Sequence, residues 1–211
     1  VGSGLFIIFS ERERKKILTK NFLKKTKSHS PIRSLNKIMN NKNFSRIEEI
    51  EYKYLKTYLQ GLLIVNDKIT MAHSIESRTP LCDNELVKFA NSISPKYKLH
   101  KNELKYLLKE SMRSKLPKEI YEQPKTGFTT PFSLWIRKEL KDYIYNILLD
   151  ERTRNRGIFK IGYVKKMLDK FCNKKSDTLF DLVTAHKIWA LLSIELWFRI
   201  FIDPQKNIKN F

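Results

Sequence analysis

The chain has 211 residues, a mass of 25.2 kDa and a formal net charge of +20. Apolar residues make up 41% and charged residues 30%, which excludes both a disordered tail and a membrane-span composition. Two cysteines, Cys82 and Cys172, and four scattered histidines exclude a disulfide scaffold and a zinc module, and six glycines leave almost no room for a Gly-rich phosphate loop.

Helical periodicity dominates from the start. Ser10-Glu-Arg-Glu13 is a capping box and predicts a helix through about residue 22. Residues 24–43 are polar, with Pro31 and several Asn and Ser, and read as a long loop. A second capping box, Ser45-Arg-Ile-Glu48, precedes Ile47, Ile50, Leu55, Tyr58, Leu59, Leu62 and Leu63 at helical spacing, so a helix with one apolar face should reach about residue 63. A further helix is predicted over residues 67–74, followed by a turn at Thr79-Pro80. Asp83 then stands as N-cap for a helix carrying Leu86, Val87, Phe89, Ala90 and Ile93.

Leu104, Leu107, Leu108 and Met112 mark the next helix, Pro117 opens a short helical piece, and residues 123–130 form a loop. Thr130-Pro131 reads as an N-cap followed by Pro at the first helical position, opening a helix that carries Phe132, Trp135, Ile136, Leu140, Tyr143, Ile144 and Leu148. A shorter helix is predicted over 162–171, and the last and longest over 178–201. The single extended candidate is 5–9, and residues from Asp203 onward read as a tail.

The most apolar stretch, 188–201, is interrupted by Glu195 and Arg199, so it reads as a buried helix and no membrane partner is expected. The apolar start is too short for a secretory core with a basic leader, and two unpaired cysteines fit a reducing, cytoplasmic compartment. The first residue is Val, a hint that the chain begins inside a longer reading frame.

The charge invites a nucleic-acid reading. Its distribution argues against specific nucleic-acid binding: lysines occur singly or in pairs along almost every polar stretch, and they outnumber arginines about three to one. Arginine is the side chain that phosphate forks and guanine contacts favour. What the charge does predict is weak, salt-sensitive adhesion to polyanions. Periodicity and composition alone thus reach a mostly helical basic domain, with a non-enzymatic binding module as one reading.

Three segments carry more. Asn66-Asp-Lys-Ile-Thr-Met-Ala-His-Ser-Ile-Glu-Ser-Arg-Thr-Pro-Leu-Cys-Asp-Asn-Glu-Leu-Val87 closely resembles the block of glutamine-dependent asparagine synthetases that runs D-R-x-S-M-A-x-S-x-E-x-R-x-P-F-L-D-x-x-L-V. Lys105-Tyr-Leu-Leu-Lys-Glu110, with Leu116-Pro117 and Gln123-Pro-Lys-Thr-Gly-Phe128, is similar to the family's next block, K-Y-L-L-R-E and then R-P-K-x-G-F. Ala185-His-Lys-Ile-Trp-Ala-Leu-Leu-Ser-Ile-Glu-Leu-Trp-Phe-Arg199 resembles the family's terminal helix. The three stand in the family's order.

The resemblance implies the mainly α, helical C-terminal half of an adenine-nucleotide α-hydrolase-like (ATP pyrophosphatase) synthetase domain, as a partial domain over 1–202 with a tail at 203–211. The family's phosphate loop S-G-G-x-D-S, its G-E-x-x-D-E segment and its glutaminase domain do not occur in these 211 residues. Family chemistry converts aspartate to an aspartyl-adenylate with release of pyrophosphate, after which ammonia attacks. The resemblance therefore implies that ATP and Mg are bound only when an N-terminal half completes the domain, and that this chain alone holds no metal and is inactive. Its partners would be that N-terminal synthetase and glutaminase portion and small-molecule substrates.

By motif position Lys125 matches the family lysine that contacts the ATP phosphates, a catalytic role suited to a point cation on a loop. Lys68, Glu76 and Arg78 match the substrate-binding block. Glu76 and Arg78 either stand beside the substrate or brace that turn as an ion pair. Lys68 replaces the family's usual Arg, so a carboxylate held there would lack the bidentate fork. Leu81 and Cys82 replace Phe-Leu and read as core, as do Trp135, Trp189 and Trp197. His73 and His186 carry no assigned role. A related amidotransferase acting on another acid is the alternative within the family.

Overall fold

The computed structural model describes residues 8–28, 31–38, 43–100, 103, 105–123, 130–174 and 179–203. It is mainly helical, as the sequence predicts, and the described residues hold two isolated β-bridges and no longer strand. Of the predicted extended stretch 5–9, residues 5–7 lie outside the described residues and 8–9 form a bend. No helix among the described residues is long and apolar enough to cross a membrane. Contacts divide the chain into two compact units, one within Pro31–Gly127, the other within Phe6–Ser30 and Phe128–Phe211.

The second unit contains the core. Its first helix, α1 (Glu11–Ile17), starts with the predicted capping box: the Glu13 N–H donates to Ser10 Oγ at 3.3 Å, and the Ser10 N–H to Glu13 Oε2 at 2.9 Å. The helix does not run on to residue 22. At Leu18 and Thr19 the backbone turns extended and pairs with a distant segment. There the Thr19 N–H donates to the Ile158 carbonyl at 2.9 Å, and the Lys160 N–H to the Ile17 carbonyl at 2.8 Å. Thr19 then caps a new helix, α2 (Lys20–Lys25), by accepting from the Phe22 N–H.

In the first unit the predicted loop at 24–43 contains a helix, α3 (Pro31–Ile38). The second capping box forms as predicted and opens α4 (Arg46–Lys56). Thr57 breaks the rod at φ −127° and ψ −70°, and α5 (Tyr58–Met71) absorbs the start of the helix predicted at 67–74. A 3-10 turn follows at Pro80–Cys82, then α6 (Asn84–Ser92), α7 (Pro95–Lys98), α8 (Tyr106–Met112) and α9 (Lys118–Glu122). No described residue of this unit is buried. Leu81, read from sequence as core, is 69% exposed, and Cys82 is half-buried.

The second unit resumes with α10 (Phe132–Arg137) and α11 (Lys141–Leu148) in place of the single predicted helix. The break is at Lys138, and the Leu140 N–H reaches back five residues to the Trp135 carbonyl at 2.8 Å, a turn wider than α. The helix also starts one residue later than predicted, with Pro131 rather than Thr130 at the cap. An unpredicted helix, α12 (Glu151–Arg156), is capped by Asp150 and ended by Gly157 at φ +71°, the left-handed region that glycine enters freely. Next come α13 (Ile161–Cys172) and α14 (Leu179–Trp197), close to their predicted spans, with a π-helical turn at Phe198–Ile202.

Ile136, Ile144, Leu148, Val164, Leu168, Ala185 and Ile188 are fully buried and join these helices into one core. Each large aliphatic side chain so buried contributes about 1.5–3 kcal/mol. The three tryptophans rim this core without entering it: Trp135, Trp189 and Trp197 all stay partly exposed, a correction to their reading as core.

Candidate functional site

The block 66–83 is shaped by local backbone bonds. At the end of α5 the Ile75 N–H donates to the Thr70 carbonyl and the Ser74 N–H to the Met71 carbonyl, both at 3.0 Å. Ser74 between them sits at φ +56°. This is the paired bond pattern of a Schellman stop, with serine where glycine is usual. A non-glycine residue there costs about 1 kcal/mol.

Residues 75–79 then lead without regular secondary structure to the 3-10 turn, with Thr79 extended just before it. Asp83 closes the block as the predicted N-cap of α6, its Oδ1 accepting from the N–H groups of Glu85 at 3.0 Å and Leu86 at 3.1 Å. One further bond ties this segment to α5: Asn66 Nδ2 donates to Ser77 Oγ at 2.5 Å.

Two of the predicted site residues meet. Glu76 and Arg78, two residues apart, pair at 2.6 Å between Oε1 and Nη2. Both are well exposed, so as an isolated pair they add about 0–1 kcal/mol. Lys68 projects from the later turns of α5, exposed, with no ion pair or hydrogen bond among the described residues to Glu76 or Arg78. Lys125 lies outside the described residues.

The chemistry this block offers is anion binding: a free ammonium on a helix, and a guanidinium half-engaged by a carboxylate. That suits a carboxylate or phosphate ligand. It does not suit a divalent cation, because no group of three or more His, Cys, Asp or Glu side chains is gathered among the described residues. Asn66, Ser74 and Ser77 shape the block and were missed from sequence. The available signal was Asn66 directly before the family-like segment.

The strongest electrostatic feature lies in the other unit, at residues read from sequence only as interruptions of an apolar run. Glu195 is fully buried on α14. It accepts from Arg156 Nε at 2.8 Å, Arg156 Nη2 at 3.0 Å and Arg199 Nε at 2.9 Å. Arg156 also grips Asp203, and Arg199 reaches Asp150 at 2.6 Å. Burial pushes the Glu195 carboxyl up, but the two guanidinium partners more than reverse it and hold it below the usual carboxylate range. The Arg156 guanidinium, helped by Arg152, also holds the Asp203 carboxyl low. The geometry is that of a structural node, closed on all sides by its own partners.

A family model described as asparagine synthase matches residues 7–199. The chain is 29% identical to asparagine synthetase [glutamine-hydrolyzing] 1 of Bacillus subtilis, over 77% of this chain and 25% of that protein. It is 34% identical to an asparagine synthetase [glutamine-hydrolyzing] of Cricetulus griseus, over 49% of this chain and 19% of the relative. Amidase chry2 of Gibberella zeae matches at 23% identity over 64% of this chain and 21% of its own length. The chain thus spans about a fifth to a quarter of the length of these relatives. No solved structure matches it significantly.

Proposed function

The chain belongs to the asparagine synthase family, and from that premise we propose that it forms the C-terminal helical part of an ATP-dependent synthetase that amidates aspartate with ammonia drawn from glutamine. The observation that carries this reading is the family match running through residues 7–199, with the exposed Glu76–Arg78 pair inside it. In this reading Lys68 and Arg78 bind the anionic ends of the substrates, and Glu76 orients the Arg78 guanidinium by its 2.6 Å contact. Lys125 meets the phosphates as negative charge shifts onto the leaving pyrophosphate. ATP supplies the adenylyl group that turns the aspartate carboxylate into an aspartyl-adenylate, the species ammonia attacks. No step is assigned to Mg, for which the described residues offer no ligand cluster.

The reading includes a partner. The S-G-G-x-D-S and G-E-x-x-D-E segments of the family are not in these 211 residues. The first unit buries none of its described side chains, with Ile64, Val65, Ile69, Met71 and Phe89 all more than half exposed. We propose that the N-terminal synthetase and glutaminase portion, in the same or a separate polypeptide, covers this surface and completes the ATP site.

The test is to isolate the native polypeptide with an antibody against α14 and to measure pyrophosphate and AMP release from ATP. Aspartate-dependent release by that material, none by the 211-residue chain alone, and a loss of about 100-fold on Lys125→Ala would support the reading. Release of ADP and phosphate, or pyrophosphate release indifferent to aspartate, would sink it. A second reading within the family, an amidotransferase for a different acid, is favoured by Lys68 in place of the family's Arg. The same assay run over a panel of carboxylic acids separates the two.

A further inference from the structure

The second unit holds a cleft of about 490 Å³ bordered by α1, α13 and α14, within the size range of small-molecule sites. Its floor is apolar: Phe9, Met167 and Phe171, the last almost fully buried. Its rim is cationic, and the arrangement of its charges is informative. Two carboxylates line the cleft, and each is already taken: Glu13 pairs with Lys187, and Asp181 with Lys174 at 2.9 Å. Lys187 and the Ser10 contacts hold the Glu13 carboxyl down to about 2, so it stays an anion locked to its own lysine.

That leaves Lys166 and Lys170. They stand one turn apart on the face of α13 that lines the cleft, and neither has a carboxylate partner among the described residues. Their neighbour Lys165, on the other side of the helix, does have one, Asp169 at 2.7 Å. Like charges at this spacing destabilise a helix, a cost that an anion between them would reverse. An inorganic anion would satisfy the lysines and leave the apolar floor wet. A neutral apolar molecule would fill the floor and leave both charges uncompensated.

We propose that this cleft is a binding site for a small amphipathic anion, a carboxylate or phosphate carried on an apolar body, with Lys166 and Lys170 gripping the charged end and Phe9, Met167 and Phe171 seating the rest. The site uses none of the residues assigned to the amidation reading and stands independently of it.

The chain has four methionines, Met39, Met71, Met112 and Met167; Met39 lies outside the described residues, and of the other three only Met167 lines the cleft. A methyl-labelled sample of the full chain therefore carries one reporter inside the site, with Met71 and Met112 as described reporters outside it. Decanoate and 1-naphthyl phosphate are titrated as the two chemical forms, acyl carboxylate and aryl phosphate, against decanol and inorganic phosphate. The expected result is a saturable shift at Met167 alone, with at least one amphipathic anion, and binding about tenfold weaker or worse for decanol and phosphate, a gap of about 1.4 kcal/mol.

The double variant Lys166→Glu with Lys170→Glu weakens binding by at least about tenfold. The equally charged control Lys20→Glu with Lys138→Glu leaves it in place. The unliganded Met167 signal reports that each variant is folded. No shift at Met167 with either anion, equal binding of decanol and decanoate, or undiminished binding by the Lys166/Lys170 variant would each overturn the proposal.

Discussion

Removing the charge of Glu195 is the sharpest test of how the second unit is held together. Glu195→Gln preserves shape but turns one carboxylate oxygen into an amide donor that faces the guanidinium of Arg156, whose Nε and Nη2 now donate to the two oxygens at 2.8 and 3.0 Å. A hydrogen bond to a charged group contributes about 1.5–3 kcal/mol, and breaking a buried ion pair from one side costs about 3–5 kcal/mol. The lower end applies here, because Arg156 keeps Asp203 and Arg199 keeps Asp150. We expect a loss of about 3 kcal/mol. With a urea dependence of about 2–3 kcal/mol per molar, the midpoint falls by about 1–1.5 M. All three tryptophans, Trp135, Trp189 and Trp197, lie in this unit, so intrinsic fluorescence follows its unfolding without interference from the other. Lys165→Gln, which breaks the exposed pair with Asp169, is the control and should cost at most about 0.5 kcal/mol. If the two variants shift the midpoint equally, the buried node does not stabilise the unit and the reasoning fails.

Three further outcomes are expected. Ser74→Gly relieves the left-handed backbone at φ +56° and should stabilise the first unit by about 0.5–1 kcal/mol, seen as slower amide exchange from Thr70 to Ser77; faster exchange would mean the serine side chain matters more than the strain. Stability against urea should be flat from neutral pH down to the unfolded carboxylate range near 4.5 and then fall toward pH 2, because Glu13, held at about 2, and Asp150, Glu195 and Asp203, all held low, stabilise the fold only while ionised; loss of stability beginning near pH 6 would contradict this assignment. Lys68→Arg restores a bidentate fork at the substrate block and should lower KM for the acid substrate about fivefold with kcat unchanged in the pyrophosphate assay, whereas an unchanged KM would remove Lys68 from the site.

What was legible in the sequence was local. The two capping boxes at Ser10 and Ser45 and the Asp83 cap form as read, because each is decided by residues within one turn. The ends of α13 and the start of α14 were also readable from periodicity, whereas α14 gives way to the π-helical turn after Trp197. The helix breaks were not. Leu18 leaves its helix to pair with Phe159, a partner that no local pattern reveals. Glu195 and Arg199 stand at i and i+4, a readable pair, yet their third member, Arg156, is 39 residues from Glu195 in sequence. At the candidate site the ion pair of Glu76 and Arg78 was one of the two readings their two-residue spacing offered, and it forms. The left-handed Ser74 that ends α5 before them did not announce itself, since serine is not the residue such a turn normally selects.

The two units are stabilised by different means, and the candidate amidation residues fall on the weaker one. In the second unit, buried aliphatics and the Glu195 node fix side-chain positions from all directions. In the first, Lys68, Glu76 and Arg78 are exposed, and what orders them is backbone chemistry: the Schellman bonds at Thr70 and Met71, the Asn66–Ser77 contact and the Asp83 cap. Such bonds set the path of the chain to within a turn but leave long charged side chains free in water. An anion site built from those side chains gains its grip only when a low-dielectric wall is placed against them. The backbone here is therefore the prepared part of the site, and the proposed N-terminal portion would supply the enclosure. Amide exchange reads the difference directly: protection over Thr70–Leu86 should already be present in the 211-residue chain and rise by no more than about tenfold on completion. An increase from no protection at all would mean that the block is shaped by its partner and not by its own turns.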